Sequence, residues 1–167
     1  MSPRVITVTV SDTRTAADDL SGRALAEELV SFQHVRHVIV PDEPERIHAV
    51  LREVMENDEA DAIVLSGGTG IAPRDRTYEA LEALFDKRLE GFGEAFRRLS
   101  WEQVGVRSIL SRATAGTIGT RIVFSLPGSE KAVRLGAREL IVPILAHAVD
   151  LLHGRAGHAA HPTKEHG

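Results

Sequence analysis

The sequence predicts an α/β fold, a three-layer α/β/α sandwich with a mostly parallel sheet, and three observations carry that expectation. Short β-branched apolar runs alternate with stretches of helical periodicity along the chain. The apolar runs are continuous rather than alternating in and out, as strands covered on both faces are. Turns rich in glycine, proline and serine come after the strands and lead into helices instead of closing hairpins. With 167 residues and 43% hydrophobic composition, the chain suffices for one domain with its own core. That domain is expected over residues 1–153, with 154–167 as a flexible tail rich in Gly, Ala and His.

In order, Arg4 to Val10 reads as a buried parallel strand and Ser11 to Asp19 as a polar loop. Leu25, Leu29 and Val30 then recur at helical spacing behind Asp19 or Ser21 as caps, and Val35 to Val40 gives the second strand. Pro44 suits a first helical position. Ile47, Val50, Leu51, Val54 and Met55 form the apolar stripe of the next helix, which leads into a strand at Ala60 to Leu65. Tyr78 to Phe85 reads as a short helix, and another begins near Gly91. Phe92, Ala95, Phe96 and Leu99 lie on one side of it, facing either the core or another subunit. Ser108 to Thr117 fits strand or loop equally. Arg121 to Leu126 is a strand, and Ser129 caps helical sequence that runs to about Leu152, kinked or divided at Pro143.

Composition narrows the function. The net charge is −4 and Lys and Arg are scattered, so the basic stripe of a nucleic-acid binder is missing. No apolar run approaches the ~20 residues of a membrane helix, and the start of the chain does not resemble a signal sequence. A soluble, cytoplasmic protein is expected. With no cysteine there is neither a thiolate metal site nor a cysteine nucleophile.

In parallel sheets ligands bind beyond the carboxyl ends of the strands. The turns at Ser11, Pro41, Ser66 and Pro127 all lie just past strands, so four loops converge on one rim. Ser66-Gly67-Gly68-Thr69-Gly70 leaves backbone N–H groups open to an anion such as phosphate, and a helix starting near Thr77 adds positive potential. Asp75, just before that helix, is compatible with bound phosphate only if a cation lies between them, which calls for Mg²⁺. The loop is neither a P-loop nor a G-x-G-x-x-G fingerprint, and alone its glycines could merely turn the chain. Asp42, beyond another strand end, strengthens the site, although Asp42 and Asp75 could also simply cap helices. Asp12, Asp18 and Asp19 face the rim or are solvated. Arg74, Arg76 and Arg112 meet phosphate or form surface ion pairs. His34, His37 and His48 are accounted for by their strand and helix positions. His153, His158, His161 and His166 crowd the tail without metal-ligand spacing.

Ser11-Asp12, Asp19-Leu20-Ser21-Gly22, Pro41-Asp42-Glu43, Ser66-Gly67-Gly68-Thr69-Gly70, Arg74-Asp75, Gly91-Phe92-Gly93-Glu94, Leu110-Ser111-Arg112 and Leu126-Pro127-Gly128-Ser129 occur in the order found in the MoaB/MogA family of molybdenum cofactor biosynthesis. The chain resembles this family over nearly its whole length, is closest to MoaB from Leu84 to Ser129, and is similar to the G domains of gephyrin. The resemblance implies molybdopterin adenylyltransferase activity, in which Mg-ATP and molybdopterin give adenylated molybdopterin and pyrophosphate. By the same resemblance, Asp42 and Asp75 would be catalytic and hold Mg²⁺. Gly67, Gly68, Thr69 and Gly70 would cradle phosphate, with Ser11, Asp12, Ser66, Pro127, Gly128 and Ser129 lining the rest and Arg112 as a further substrate contact. Some MoaB-type proteins lack the aspartate that matches Asp42 and look inactive; Asp42 is present here. The family implies a homotrimer or homohexamer. Two alternatives stay open: a non-catalytic molybdopterin-binding or scaffold protein of the same pathway, and an unrelated nucleotide-dependent phosphotransferase on the same architecture.

Overall fold

The structure, a computed structural model, describes residues 2–155. Strand β1 (Arg4–Val10) is buried along all but its first residue. Its β-branched side chains pack on both faces of the sheet, as the continuous apolar run predicts. Helix α1 (Leu20–Glu28) leads to β2 (Gln33–Val40), and α2 (Pro44–Glu56) leads to β3 (Ala62–Ser66). After the glycine loop come α3 (Thr77–Glu82), β4 (Lys87–Arg88) and α4 (Glu90–Val104). A 3₁₀ segment (Gly105–Leu110), β5 (Thr114–Ile118), β6 (Arg121–Leu126), α5 (Glu130–Gly136), a π turn (Ala137–Ile141) and α6 (Val142–Leu152) complete the chain.

The six strands are ordered β2-β1-β3-β6-β5-β4. Strands β2, β1, β3 and β6 are mutually parallel, while β5 runs antiparallel to β6 and to β4. One face packs Leu25, Leu29, Phe96, Phe124 and Ile141; the other packs Ile47, Leu51, Leu65 and Leu81. Helices therefore cover both faces, and the three-layer expectation holds.

The structure also settles the open assignments. Phe92 and Phe96 are buried, and the Phe92 ring lies 5.2 Å from that of Phe124, so these two belong to the core, whereas Ala95 and Leu99 are only half-buried. Ser108 to Thr117 divides between the end of the 3₁₀ segment and β5. The division near Pro143 is a π turn, in which the Val142 N–H bonds the Ala137 carbonyl. Pro143 has no N–H to continue an α register, so the ladder opens by one residue just ahead of it. Among the described residues no helix is long and apolar enough to cross a membrane. His158, His161 and His166 lie outside the described residues.

Candidate functional site

Strands β1, β3 and β6 end side by side, with Thr9 opposite Ser66 and Ser66 opposite Leu126. The strand ends are laced together: Gly67 N–H donates to the Leu126 carbonyl at 2.9 Å, joining β3 to β6, and Ser11 N–H to the Val40 carbonyl at 2.8 Å, joining β1 to β2. The loops that begin there form the rim. The glycines do more than turn the chain. Gly67 has φ +105°, and a Cβ on it would fall 2.2 Å from the Val10 carbonyl oxygen. Gly68 has φ +65°, and a Cβ would fall 2.2 Å from Thr77 Oγ1 and 2.3 Å from Asp42 Oδ2. At Gly68 the backbone thus approaches Thr77 and Asp42 as closely as only glycine allows.

Asp42 is 6% exposed. Its Oδ1 accepts from Arg76 N–H at 3.2 Å, and its own N–H donates to Asp12 Oδ1 at 3.0 Å. Asp12 Oδ2 in turn accepts from Arg74 Nε at 2.6 Å, so three loops are tied around Asp42. Burial pushes the Asp42 carboxyl above its usual range; the Arg76 N–H opposes this, and the charges of Asp75 and Asp12 add to it. Asp75 Oδ2 accepts from Ala72 N–H at 3.0 Å and is turned to Gly70, where a Cβ would sit 2.7 Å away. Neither aspartate caps a helix with its side chain: Glu43 and Arg76 occupy the N-cap positions of α2 and α3, without side-chain bonds. Among the described residues no three His, Asp or Glu side chains gather as a ready-made metal site; Asp42 and Asp75 would supply two carboxylates, the oxygen-donor chemistry that Mg²⁺ takes together with phosphate oxygens.

Ser11 Oγ accepts from the Thr13 and Arg14 N–H groups and shapes the first loop. Ser66 and Thr69 are buried. Ser129 Oγ caps α5 by accepting from Ala132 N–H at 3.2 Å, and Gly128 lies against Gly67. Arg112 is brought to the rim but spends its guanidinium on the protein. Its Nε donates to the Gly70 carbonyl at 2.9 Å, Nη2 donates to the Asp75 carbonyl at 3.0 Å, and the group pairs with Glu79 over the Tyr78 ring. It clamps the loop that carries the glycines and Asp75. Arg112→Ala is therefore expected to lose ~2 kcal/mol of stability, read as a lower urea midpoint at unchanged slope. Arg112→Lys recovers little, because one ammonium cannot replace the planar fork.

Sequence reasoning missed three residues. Thr77 Oγ1 is buried without a hydrogen-bond partner among the described residues, next to Asp42 across Gly68. Only its place two residues past Asp75 hinted at this. His34 and His37 are more than strand positions, since both reach Thr7 Oγ1, at 2.9 Å and 2.8 Å. Asp18 closes a local turn with Thr15, whereas Asp19 is buried and caps α1. His48 donates to the Ala80 carbonyl, and His153 sits 3.6 Å from Asp61 at the other end of the sheet, so neither belongs to the site.

Two hollows flank the Ser111-Arg112 pair. One of 400 Å³ is lined by Ile71, Pro73, Asp75, Arg76, Glu79 and Arg112. The other, of 340 Å³, is lined by Phe96, Ser100, Arg107, Ser111, Pro127 and Ser129.

Fold and rim together define the class: a doubly covered α/β domain whose composite candidate site lies at the strands' carboxyl ends. Residues 6–147 match the family described as a probable molybdopterin binding domain. The chain is 46% identical over 149 residues to molybdenum cofactor biosynthesis protein B of Bacillus cereus, covering 87% of this chain and 88% of that protein. It superposes on a crystal structure of a molybdenum cofactor biosynthesis protein B with TM-score 0.85 and 43% identity, covering 92% of this chain and 98% of the other. On the tungsten cofactor synthesizing protein MoaB from Pyrococcus furiosus it superposes with TM-score 0.80 and 42% identity, covering 93% and 98%. The chain belongs to the MoaB/MogA family of molybdenum cofactor biosynthesis proteins.

Proposed function

We propose that this protein is a molybdopterin adenylyltransferase. The terminal phosphate of molybdopterin attacks the α-phosphorus of ATP, a phosphoanhydride forms, and pyrophosphate leaves. The observation that carries this reading is the pairing of the buried, upward-shifted Asp42 with Asp75 around a backbone bared by Gly67, Gly68 and Gly70. The nucleophile is already an anion at neutral pH, so no protein nucleophile and no strong base is required. The difficulty is bringing two anions together, and alignment with charge neutralisation answers it. Asp42 and Asp75 would hold Mg²⁺, which when bound supplies charge neutralisation on the phosphates and orients the leaving group. The backbone N–H groups of Gly68, Thr69 and Gly70 bind phosphate oxygens, whereas that of Gly67 is held by the Leu126 carbonyl, and Arg112 keeps that backbone in place. The hollow floored by Phe96 and rimmed by serine hydroxyls suits a flat bicyclic pterin with a polar edge, leaving the hollow beside Asp75 and Arg76 for the nucleotide.

As a partner, a second copy of the chain suits the outer face of α4 and the 3₁₀ segment. There Trp101, Val106 and Ile109 are each half exposed or more. A trimer or hexamer that buries this face is part of the proposal, as is a cytoplasmic location, where ATP and the pterin intermediate meet.

Purified protein incubated with Mg-ATP and freshly prepared molybdopterin is expected to form the AMP adduct, resolved by chromatography. Asp75→Asn, folded by circular dichroism, is expected to form at least about a hundredfold less. Tight pterin binding with no adduct in either protein would instead identify a pterin carrier. ATP turnover that is indifferent to the pterin would identify a different phosphotransferase.

A further inference from the structure

Strand β2 is an edge strand, and its two histidines are three residues apart. In an unbroken strand residues 34 and 37 face opposite sides of the sheet. Here the register slips between Val5 and Ile6, which pair with His34 and Arg36, so Val35 is the extra residue of a β-bulge. The bulge restores parity and brings both imidazoles to the face that carries Thr7 and Thr9. Thr7 Oγ1 meets His34 Nε2 at 2.9 Å and His37 Nδ1 at 2.8 Å. His37 Nε2 lies 2.7 Å from Asp19 Oδ2, which also accepts from Thr9 Oγ1 at 2.7 Å. Asp19 Oδ1 accepts from Gly22 N–H at 2.9 Å and Ser21 Oγ at 3.2 Å. Ser21 Oγ accepts from Arg14 Nη1 at 2.5 Å, and Ser66 Oγ, at the root of the glycine loop, is 3.4 Å away. Gly22 makes the approach possible, since a Cβ there would stand 2.6 Å from His37 Nε2.

With a neutral His37, donor and acceptor chemistry gives the chain one direction. The Asp19 carboxylate only accepts, so His37 Nε2 carries the proton. Its Nδ1 then takes the single hydroxyl proton of Thr7, and Thr7 Oγ1 accepts from His34 Nε2. Burial pushes Asp19 up, but the bonds from Gly22, Thr9 and His37 outweigh it and hold its carboxyl below the usual range. Burial pushes His34 down, in keeping with a neutral ring.

We infer that His37, oriented by His34 through Thr7, is a positioning residue for the rim: it fixes Asp19, and through Asp19 the first loop and the seat of Ser66. The first loop carries Asp12, which holds the backbone N–H of Asp42. Slack at His37 therefore reaches the proposed catalytic carboxylate through two protein segments. His37 touches neither substrate nor the reacting atoms. The inference rests on the adenylyltransferase reading only for its kinetic consequence.

The test compares His37→Ala, His37→Gln and Thr7→Val with wild type by amide hydrogen exchange and by steady-state adenylyl transfer. Gln can place an N–H near the Nε2 position, whereas Ala cannot; Thr7→Val keeps the strand's shape and removes the hydroxyl that joins the rings. Exchange in residues 11–22 is expected to quicken about tenfold in His37→Ala and Thr7→Val, with β3 and β6 unchanged. The kcat of both is expected to fall about tenfold at nearly unchanged KM, and His37→Gln is expected to recover most of both effects. Unchanged exchange in 11–22, a rise in KM with intact kcat, or failure of Gln to rescue would each overturn the inference. The exchange result stands without turnover, so a wild type that makes no adduct would sink the functional reading while leaving this one decidable.

Discussion

Asp42→Asn is expected to melt higher than wild type in metal-free buffer and to transfer adenylyl groups at least about a hundredfold more slowly. The two effects have one source. The folded chain raises the Asp42 carboxyl above its unfolded value through burial and the charges of Asp75 and Asp12, against the Arg76 N–H. A raised carboxyl means that the native state holds the proton more tightly than the unfolded state. Stability therefore falls as pH climbs from the unfolded value through the folded one, and above that interval the whole penalty is present. Asparagine has the same shape, keeps an oxygen for Arg76 N–H, and carries no charge to bury. At pH 7 the gain is expected to be roughly 2–4 °C in Tm for a domain of this size. It is expected to vanish as pH drops below the folded value of Asp42, where wild type is itself protonated. Added Mg²⁺ with nucleotide should raise the Tm of wild type more than that of the variant. Thermal melts across pH 4–8, with and without Mg-ATP, check all of this; a variant that melts lower at pH 7 would show that Asp42 serves the fold rather than the site.

The rim was legible in the sequence because its residues sit at strand ends. Continuous runs such as Arg4 to Val10 locate the strands, and the loop after each parallel strand must lie on the sheet's carboxyl edge whatever the rest of the chain does. Asp42 and Asp75, distant in sequence, could be paired on that ground alone. Partnership was not legible. Arg112 offers a charge in the sequence, but only the fold shows that its fork meets two loop carbonyls and Glu79. The histidine chain was hidden by parity: spacing of three on a strand argues for opposite faces, and a one-residue bulge reverses the conclusion without a glycine or proline to announce it. β5 was obscure for a different reason. Thr114 to Ile118 reads TAGTI, with little strand propensity of its own, and its place depends on pairing with β6. Phe85 packs so closely on Gly116 that a Cβ there would lie 2.5 Å from the ring.

Gly67→Ala and Gly68→Ala are expected to fail in different ways, although the glycines are adjacent and both have positive φ. At Gly67 the new methyl would meet the Val10 carbonyl oxygen at 2.2 Å, backbone against backbone at the junction of β1 and β3. Val10 is held by its parallel pairing to β2, so relief requires parting strands at the centre of the sheet. A φ of +105° is also outside the region an alanine tolerates. A loss of at least ~4 kcal/mol is expected, enough to leave little soluble protein. At Gly68 the φ of +65° falls in the left-handed region that alanine enters at a cost of about 1–2 kcal/mol. The methyl there meets the ends of two side chains, Thr77 Oγ1 and Asp42 Oδ2, which can swing aside. Gly68→Ala is therefore expected to fold with a lower Tm and yet to lose adenylyl transfer almost completely, because the displaced atoms are the carboxylate and hydroxyl that face the bared backbone. Expression yield, thermal melts and the adduct assay separate the two variants. A soluble, active Gly68→Ala would mean that Asp42 need not face the loop at Gly68, and the site as described would have to be redrawn.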